Sequence, residues 1–347
     1  MTIRNVLFVL YTVFFSAVFQ ACASANAIPA TADSSSKIIA VGDIHGDFDA
    51  YAAILTDAGL VDESLKWIGG DAILVQTGDI ADRGPDTRKI IEHLQKIQKQ
   101  ARKRGGKVVT LIGNHEVMNM TNDLRYVDPG EYKAFETSKS SKLRDRLYDS
   151  NEAAIKRFYL AKNPALSPEM IRKAWDETTP LGQIEHQAAW RPTGRIGKWV
   201  VKNSAVTLIE GYLFAHGGIS QKYSKLSLKD INKQVKAALK AREQSSESII
   251  NDPLGPLWYR GYVRPESGLD GGLPPQDELT SVLSAYSAKA LIIGHTPERA
   301  GIKASLEGRL VQIDTGASKY YGGTRSFLRI ENGQLFAHDN GRVRPLN

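Results

Sequence analysis

Six polar residues of the chain are of the types that bind transition metals without sulfur. Each lies in or beside a short glycine-containing motif, and the set is Asp43, His45, Asp79, Asn114, His216 and His295. Carboxylate, imidazole and amide ligands suit Mn, Fe or Zn rather than a thiolate zinc site. Two carboxylates and three imidazoles are too many for one catalytic ion that keeps a position open. They fit two ions, about 3.5–4 Å apart, that share a carboxylate and a bridging hydroxide.

Other hydrolytic mechanisms lack their motifs in this sequence. His115 and Glu116 are followed at position 119 by asparagine, so the HExxH pattern of zinc proteases is absent. Neither a GxxxxGK[ST] phosphate-binding loop nor a GxSxG nucleophile elbow occurs. For the three remaining histidines we expect structural hydrogen bonds rather than chemistry; they are His93, His186 and His338.

The candidate ligands follow apolar segments that indicate β-strands. Three such segments, 37–41, 72–75 and 107–112, alternate with helical patterns at 49–60 and 87–104. This alternation predicts right-handed crossovers and a parallel sheet. Two later apolar segments, 212–215 and 291–293, end in the same way, at His216 and His295. Because ligands bind at the carboxyl ends of parallel strands, we expect all five motifs at one edge.

Two long segments depart from this alternation. Residues 121–200 are polar and predict a helical insertion over the active edge of the sheet, although an inert structural layer is an equally good interpretation. The helical patterns in it cover 133–140, 142–160 and 168–175. Residues 250–275 contain ten glycines and prolines and predict a long loop. The apolar runs that predict a second sheet are 290–293, 309–313, 327–330 and 334–338.

The N-terminus has the composition of a secretory signal. Arg4 is the only charged residue before Asp33, residues 6–19 are densely apolar, and small residues at A-x-A spacing follow. We therefore expect a signal peptide at 1–27 and a linker at 28–36. The candidate cleavage sites follow Ala23, Ala25 and Ala27. The mature protein is then expected to be periplasmic or secreted.

Two alternatives for this segment are weaker. A retained membrane anchor is disfavoured because the densely apolar stretch is shorter than a full span, so no stable span is expected after cleavage. Lipid attachment at Cys22 is disfavoured because Phe19-Gln20-Ala21 differs from the usual leucine-rich motif. Cys22 is the only cysteine, so cleavage after Ala25 or Ala27 removes any thiolate ligand or cysteine nucleophile.

Composition excludes several classes of protein. Of 347 residues, 42% are hydrophobic and 24% charged, which excludes a collagen-like, disordered or disulfide-rich chain. The net charge of +7 suits anionic partners in general. The densest basic stretch, 102–107, closes an amphipathic helical pattern and predicts a helix end. We therefore expect no nucleic-acid partner.

The motifs resemble those of a known family. Three motifs are similar to the three signatures of the phosphoprotein-phosphatase branch of calcineurin-like metallophosphoesterases. They are Gly-Asp-Ile-His-Gly at 42–46, Gly-Asp-Ile-Ala-Asp-Arg-Gly at 78–84 and Gly-Asn-His-Glu at 113–116. Residues 119–126 and 256–261 are most similar to the bacterial-type, Shewanella-like protein phosphatases. The resemblance implies an α/β (α+β) sandwich, with two central mixed β-sheets flanked by helices and a helical insertion at about 121–200, in one catalytic domain at 37–347.

The resemblance also implies roles for individual residues. Asp43 and His45 would hold the first metal ion, and Asp79 would bridge both ions. The ligands implied for the second ion are Asn114, His216 and His295. His115 would be the general acid that protonates the leaving oxygen, oriented and kept cationic by Asp82.

Phosphate contacts are implied as well. The residues expected to bind substrate are Arg83, Arg260 and Asn114. The forked donors of an arginine suit phosphate oxygens better than the point charge of a lysine. Either Tyr320 or Tyr321 would correspond to a tyrosine near the phosphate.

The implied activity is that of a phosphomonoester hydrolase dependent on two metal ions. Direct attack by the bridging hydroxide would form no phosphoenzyme. The substrate would be a phosphorylated protein, on Ser/Thr or Tyr. A small-molecule phosphoesterase acting on nucleotides or dinucleoside polyphosphates shares the signatures and stays open, although Asp82 before Arg83 favours the protein phosphatase. A metal-binding scaffold without catalysis is disfavoured because ligands, acid and Arg83 occur together.

Overall fold

The computed structural model describes residues 36–265 and 273–346, which belong to one compact unit running from Ser35 to Asn347. The predicted signal peptide, the Cys22 site and linker residues 28–35 lie outside the described residues. The strands are β1 (Ile38–Val41), β2 (Ile73–Gln76), β3 (Lys107–Thr110), β4 (Val206–Ile209), β5 (Tyr212–Ala215), β6 (Ala290–Ile293), β7 (Lys303–Ser305), β8 (Leu310–Gln312), β9 (Ser326–Glu331), β10 (Gln334–Asp339) and β11 (Arg342–Leu346). The helices are α1 (Phe48–Asp57), α2 (Thr87–Lys103), α3 (Asn114–Thr121), α4 (Pro129–Phe135), α5 (Ser140–Lys162), α6 (Pro168–Thr178), α7 (Gln183–Trp190), α8 (Arg195–Val200), α9 (Leu228–Ala241) and α10 (Pro275–Ala285).

Two mixed sheets form the centre of this unit, which confirms the predicted fold. The first has the strand order β11-β10-β9-β1-β2-β3, and the second has the order β4-β5-β6-β8-β7. Strands β1, β2 and β3 are parallel, as predicted, with α1 and α2 in the crossovers. Strands β5, β6 and β8 are parallel in the second sheet. In the described part of the chain, no helix is long and apolar enough to cross a membrane.

The assignment of β9 and β10 to the second sheet was wrong. Strand β9 pairs antiparallel with the free edge of β1, where Ile330 lies opposite Ile38 and Leu328 opposite Ala40. Strands β10 and β11 extend the first sheet from there. The apolar pattern correctly predicts that these segments are strands. Their pairing partner β1 lies near the other end of the described chain, so the pairing leaves no local signal in the sequence.

Strand β1 shows why the central strands are wholly apolar. Ile38 and Ala40 pack in an apolar layer with residues of the second sheet, including Phe214 and Ile292. Ile39 and the residues that share its face belong to the larger cluster that includes residues of α1 and α2. Both faces of the strand are therefore covered, so the sequence has no polar alternation there. Burial of each large side chain stabilises the fold by about 1.5–3 kcal/mol.

Residues 121–200 contain five helices, α4 to α8. The first predicted helix, 133–140, was misplaced: α4 ends at Phe135, and Glu136 has extended backbone. Glu131 of α4 joins this segment to α2, because its carboxylate accepts a hydrogen bond from Thr87 Oγ1 at 2.8 Å. The other oxygen of Glu131 lies 3.0 Å from Nε2 of His186 in α7. Helices α5 and α6 form a separate small apolar cluster.

Candidate active site

The five motifs meet at the carboxyl ends of β1, β2, β3, β5 and β6. Four of the six predicted ligands line one cavity of about 410 Å³: His45, Asp79, Asn114 and His295. The other two are buried beside it. Asp43 accepts a hydrogen bond from the backbone N–H of His295, and Nε2 of His216 lies 2.9 Å from Oδ1 of Asn114. The structure therefore brings all six residues together.

Asp79 lies between two groups of potential metal ligands. Its Oδ1 is 3.3 Å from Nε2 of His216, and its Oδ2 is 3.8 Å from Nε2 of His45. The groups whose ligand atoms lie within 4.8 Å of one another are His45, Asp79 and His115, and Asp79, His216 and His295. Asp43 lies beside the first group, with its Oδ2 3.9 Å from Nε2 of His45. One carboxylate thus faces both groups.

The imidazole rings of His45 and His216 are turned by backbone carbonyls. Nδ1 of His45 donates to the carbonyl of Ala81 at 3.0 Å, and Nδ1 of His216 donates to that of Thr77 at 2.9 Å. These bonds direct both Nε2 atoms toward Asp79, which is the usual orientation of a metal-binding histidine. Nε2 of His295 is buried and has no hydrogen-bond partner in the described residues. A metal ion would satisfy this nitrogen.

Burial keeps two of these imidazoles neutral. It lowers the pKa of His45 to about 4, although Asp79 opposes the shift. Burial also lowers the pKa of His295 well below its usual value, and electrostatic interactions with His216 and Arg260 add to this effect. A neutral imidazole keeps the lone pair that a metal ion needs. The two rings therefore fit metal coordination.

A further carboxylate, Asp314, was not found from the sequence. Burial raises its pKa to about 6, and the nearby charge of Asp79 contributes. Burial also raises the pKa of Asp43, as do the carboxylates of Asp314 and Asp79. The sequence did contain the signal for Asp314, which is a polar residue just after a buried strand. Asp314 follows β8 in the way that the other site residues follow their own strands. Such a concentration of buried carboxylates fits a cationic occupant.

Asp79 differs from these two carboxylates in its pKa. Burial alone would raise it, but interactions with the imidazoles of His216 and His115 outweigh burial and lower the pKa of Asp79 well below the usual value. The sulfur-free donors, the shared carboxylate and the unpartnered nitrogen of His295 together fit transition-metal ions.

The backbone at the site is held in an unusual conformation. Five site residues other than glycine have positive φ angles: His45, Asp79, Asp82, Arg83 and His295. Close packing also requires two glycines. A Cβ on Gly294 would lie 2.3 Å from Oδ1 of Asp43, and one on Gly113 would lie 2.2 Å from Oδ1 of Asp79. Such strain persists only where the surrounding structure holds it in place.

Glu116 is one source of that support. Its carboxylate accepts hydrogen bonds from the backbone N–H groups of Asp79, Ile80, Ala81 and Gly113, at 2.7–3.2 Å. These four bonds join the loop after β2 to the loop after β3. This role of Glu116 was not predicted from the sequence, although a glutamate at the third position of a helix typically accepts a hydrogen bond from the N-cap amide.

His115 forms a buried pair with Asp82. Nδ1 of His115 lies 2.6 Å from Oδ2 of Asp82, and Nδ2 of Asn119 donates to the other carboxylate oxygen at 2.8 Å. Burial alone would lower the pKa of His115, but the charge of Asp79 and the bond to Asp82 outweigh it and raise the pKa. The protonated form of this imidazole is therefore favoured, whereas burial favours the neutral form of His45 and His295.

Two tyrosines bracket the guanidinium group of Arg83. It lies 3.7 Å from the ring centroid of Tyr126 and donates to the hydroxyl of Tyr320 at 3.0 Å. Tyr321 instead faces His45, with the ring centroids 5.2 Å apart, and lines the cavity. The structure thus places both candidate tyrosines at the site. Tyr126, which lies at the start of the predicted insertion, was not found from the sequence.

Arg260 reaches the cavity from the segment after α9. Its Nη1 donates to the carbonyl of His295 at 2.8 Å and to Oγ1 of Thr296 at 2.6 Å. Burial lowers the pKa of Arg260, and the charge of Arg264 contributes to the shift. Arg264 and Arg299 line the same cavity. The cavity wall is therefore strongly basic around the buried carboxylates.

The three remaining histidines lie outside this cavity. His93 is hydrogen-bonded to the hydroxyl of Tyr51 at 2.8 Å, and His186 to Glu131. His338 stacks on Phe327, with the ring centroids 4.2 Å apart. All three make structural contacts.

Comparison with known proteins agrees with this geometry. Residues 36–299 match the family described as calcineurin-like phosphoesterase, and the chain belongs to this family. It is 32% identical over 305 residues to an uncharacterized protein of Schizosaccharomyces pombe, covering 84% of this chain and 76% of that one. It is 28% identical to Shewanella-like protein phosphatase 2 of Arabidopsis thaliana, covering 82% of this chain and 72% of that protein.

A further relative is Shewanella-like protein phosphatase 1 of Plasmodium berghei, 28% identical over 87% of this chain and 73% of that protein. Among solved structures, the fold is similar to a cold-active protein-tyrosine phosphatase of a psychrophilic Shewanella species. The TM-score is 0.66 at 24% identity, and the match covers 90% of this chain and 81% of the other. The resemblance to this family is confirmed, and family membership together with the two groups of potential metal ligands makes the chain a metal-dependent phosphatase.

Proposed function

We propose that this chain is an exported protein phosphatase that holds two ions of Mn, Fe or Zn and hydrolyses phosphate esters of Ser/Thr or Tyr. The observation that carries the proposal is the position of His115. A histidine with a raised pKa lies next to Asp79, the carboxylate common to two groups of potential metal ligands. This arrangement joins a proton donor to a dinuclear centre.

The first ion would be held by Asp43, His45 and Asp79. The proposed ligands of the second ion are Asp79, Asn114, His216 and His295. When bound, the ions would neutralise charge on the phosphoryl oxygens and lower the pKa of a bound water. His115 also offers Nε2 at 3.8 Å from Asp79, but its raised pKa favours a proton donor over a ligand.

The remaining site residues would bind the phosphoryl group and supply the proton. Arg83 and Arg260, on the wall of the cavity, would orient the phosphate oxygens, with Asn114 as a third contact. Asp82 accepts from Nδ1 of His115, which leaves the proton on Nε2 for the departing alcohol or phenol oxygen. General acid catalysis of this kind contributes about 10²–10⁴ in rate.

Two relatives support a protein substrate, because both are named protein phosphatases and match more than four-fifths of this chain. One observation favours a small-molecule substrate instead. Arg83, Arg260, Arg264 and Arg299 all line the cavity, and four guanidinium groups suit a substrate with more than one phosphate. A nucleotide or dinucleoside polyphosphate is therefore the second candidate.

Export is proposed from the sequence, where residues 1–27 have the composition of a signal peptide. The same segmentation makes 37–347 the catalytic domain, with its insertion at about 121–200. Fractionation of cells that express the full chain tests export, and N-terminal sequencing of the product tests where the mature chain begins. A product in the exported fraction should begin after Ala23, Ala25 or Ala27, whereas an intact N-terminus in the cytoplasm contradicts the proposal.

Substrate class is tested by kcat/KM of the mature chain, starting at Asn26 and loaded with Mn²⁺. Peptides with phosphotyrosine, phosphoserine or phosphothreonine are compared with nucleotides and dinucleoside polyphosphates, with a chelator as control. Chelator-sensitive preference for one phosphopeptide type supports the protein phosphatase. Preference for nucleotides would replace it with the second candidate while leaving the metal site in place.

A further inference from the structure

Helix α9 has a solvent face made of lysines. Four of them follow one another at spacings of four, three and four residues: Lys229, Lys233, Lys236 and Lys240. All four are exposed, whereas Ile231, Val235, Ala238 and Leu239 of the same helix are buried. At 3.6 residues per turn, the four lysines fall within an arc of about 60° and span about 17 Å along the axis. We call these four residues the lysine face.

The charge of this face is not neutralised within the described residues. No ion pair there involves any of the four lysines. Of the nearest acidic residues in sequence, Asp230 is hydrogen-bonded to Ser227 and Glu243 to Ser248. Lys225, just before the helix, is also exposed and extends the positive charge. Such a face attracts an extended anionic partner.

We propose that the lysine face binds the headgroup surface of an anionic phospholipid bilayer. The apolar side of α9 is used in the protein core, so the helix cannot insert and only its charges are available. All four residues are lysines, which act as mobile point charges, whereas fixed phosphates are usually recognised by the forked donors of arginine. Mobile charges in a row suit a fluid surface of lipid phosphates.

A nucleic acid fits this face less well. Helix α9 contains no aromatic residue on which bases could stack, and single-stranded nucleic acids are usually bound by stacking platforms within basic grooves. The choice of lipid also rests on the proposed export, because an exported protein meets membrane surfaces. Binding to vesicles is nevertheless measured independently of export, so failure of either proposal can be distinguished.

Helix α2 offers a matched control. It also has exposed lysines, at 96, 99 and 103, but Glu92 lies on the same face and pairs with Arg88 and Arg195. The lysines at 96, 99 and 103, together with exposed Lys107, form a second set of four surface lysines that can be replaced in a control variant. Neither set lies in the candidate active site.

The experiment compares three forms of the mature chain, starting at Asn26, in sedimentation with vesicles of phosphatidylglycerol and phosphatidylcholine. The first variant carries Lys229→Gln, Lys233→Gln, Lys236→Gln and Lys240→Gln, and the second carries Lys96→Gln, Lys99→Gln, Lys103→Gln and Lys107→Gln. Each lysine near an anionic surface should contribute about fivefold to binding, so the first variant should lose at least about a hundredfold. The second variant should bind nearly as the unmodified chain does. Salt at about 1 M should release all forms, because it shortens the Debye length to about 3 Å.

Circular dichroism checks that both variants are folded, and phosphatase activity checks that both hold their metal ions. No binding of the unmodified chain to phosphatidylglycerol vesicles at low salt would overturn the proposal. Equal losses in the two variants would overturn the assignment to α9, since net charge alone would then explain binding. Binding of a single-stranded oligonucleotide through the same four lysines, with no vesicle binding, would replace the lipid by a nucleic acid.

Discussion

His115 and Asp82 form a buried pair whose geometry is fixed from both sides. Nδ1 of His115 is 2.6 Å from Oδ2 of Asp82, and Asn119 donates to Oδ1. The backbone N–H of His115 in turn donates to Oδ1 of Asp79 at 2.9 Å. His115 is therefore bonded to Asp82 through its ring and to Asp79 through its backbone. A change of the side chain leaves the backbone bond to the candidate metal ligand in place, so proton transfer and metal binding can be tested separately.

We expect His115→Asn to lower kcat by about 10²–10⁴ while leaving the metal content unchanged. The loss should be larger for substrates with a poor leaving group than for p-nitrophenyl phosphate, whose leaving group needs less protonation. Metal analysis and kcat on both substrate types check this. Loss of bound metal in the variant would instead identify His115 as a ligand.

We expect Asp82→Asn to shift the alkaline limb of the kcat–pH profile to lower pH. The acid must be protonated, so activity falls as pH rises through the pKa of His115. Asp82 helps to raise that pKa, and its removal lowers the pH at which the proton is lost. Asn119→Ala, which keeps the carboxylate, should shift the limb less. An unchanged limb in Asp82→Asn would assign it to another group.

Tyr126 is expected to hold Arg83 for substrate binding. Tyr126→Leu removes the ring that lies 3.7 Å from the guanidinium carbon, so KM should rise about 2- to 30-fold with little change in kcat. Tyr126→Phe keeps the ring and should behave nearly as the unmodified enzyme, which makes it the matched control. Equal effects of the two substitutions would show that the hydroxyl, and not the ring, matters.

Gly294→Ala should weaken metal binding. The new Cβ would lie 2.3 Å from Oδ1 of Asp43, so either the loop after β6 or the carboxylate must move. Because His295 follows directly and its N–H donates to Asp43, both residues are displaced together. We expect lower metal content after gel filtration and lower activity that excess Mn²⁺ partly restores. Full metal content with unchanged activity would contradict this account.

The site residues that the sequence identified share a local signal, which Tyr126 lacks and which Asp314 has in part. Asp43, Asp79 and His295 each stand beside a glycine after an apolar run, so strand order alone predicts that they meet. Tyr126 has no such signal, because its ring reaches Arg83 only through the path of the insertion. Pairing of β9 with β1 likewise depends on which edge is free once the first three strands have assembled. Asp314 was within reach of sequence reasoning, since it follows a buried strand.

His93 should make the stability of the fold depend on pH. Its Nε2–H donates to the carbonyl of Leu65 and its Nδ1 accepts from the hydroxyl of Tyr51, both at 2.8 Å, so the neutral ring satisfies every partner. Burial lowers the pKa of His93 below its usual value of about 6.5, so the unfolded chain takes up this proton at higher pH than the folded one.

The contribution of His93 is therefore complete above about pH 6.5 and is lost as pH falls toward the lowered pKa, with a slope of at most about 1.4 kcal/mol per pH unit. We expect His93→Gln to remove this component, which urea unfolding of both forms between pH 5 and 8 would measure as a difference between their free energies of unfolding. The difference should grow with pH and become constant above about pH 6.5. A constant difference across the whole range would mean that His93 has the same pKa in the folded and unfolded chains.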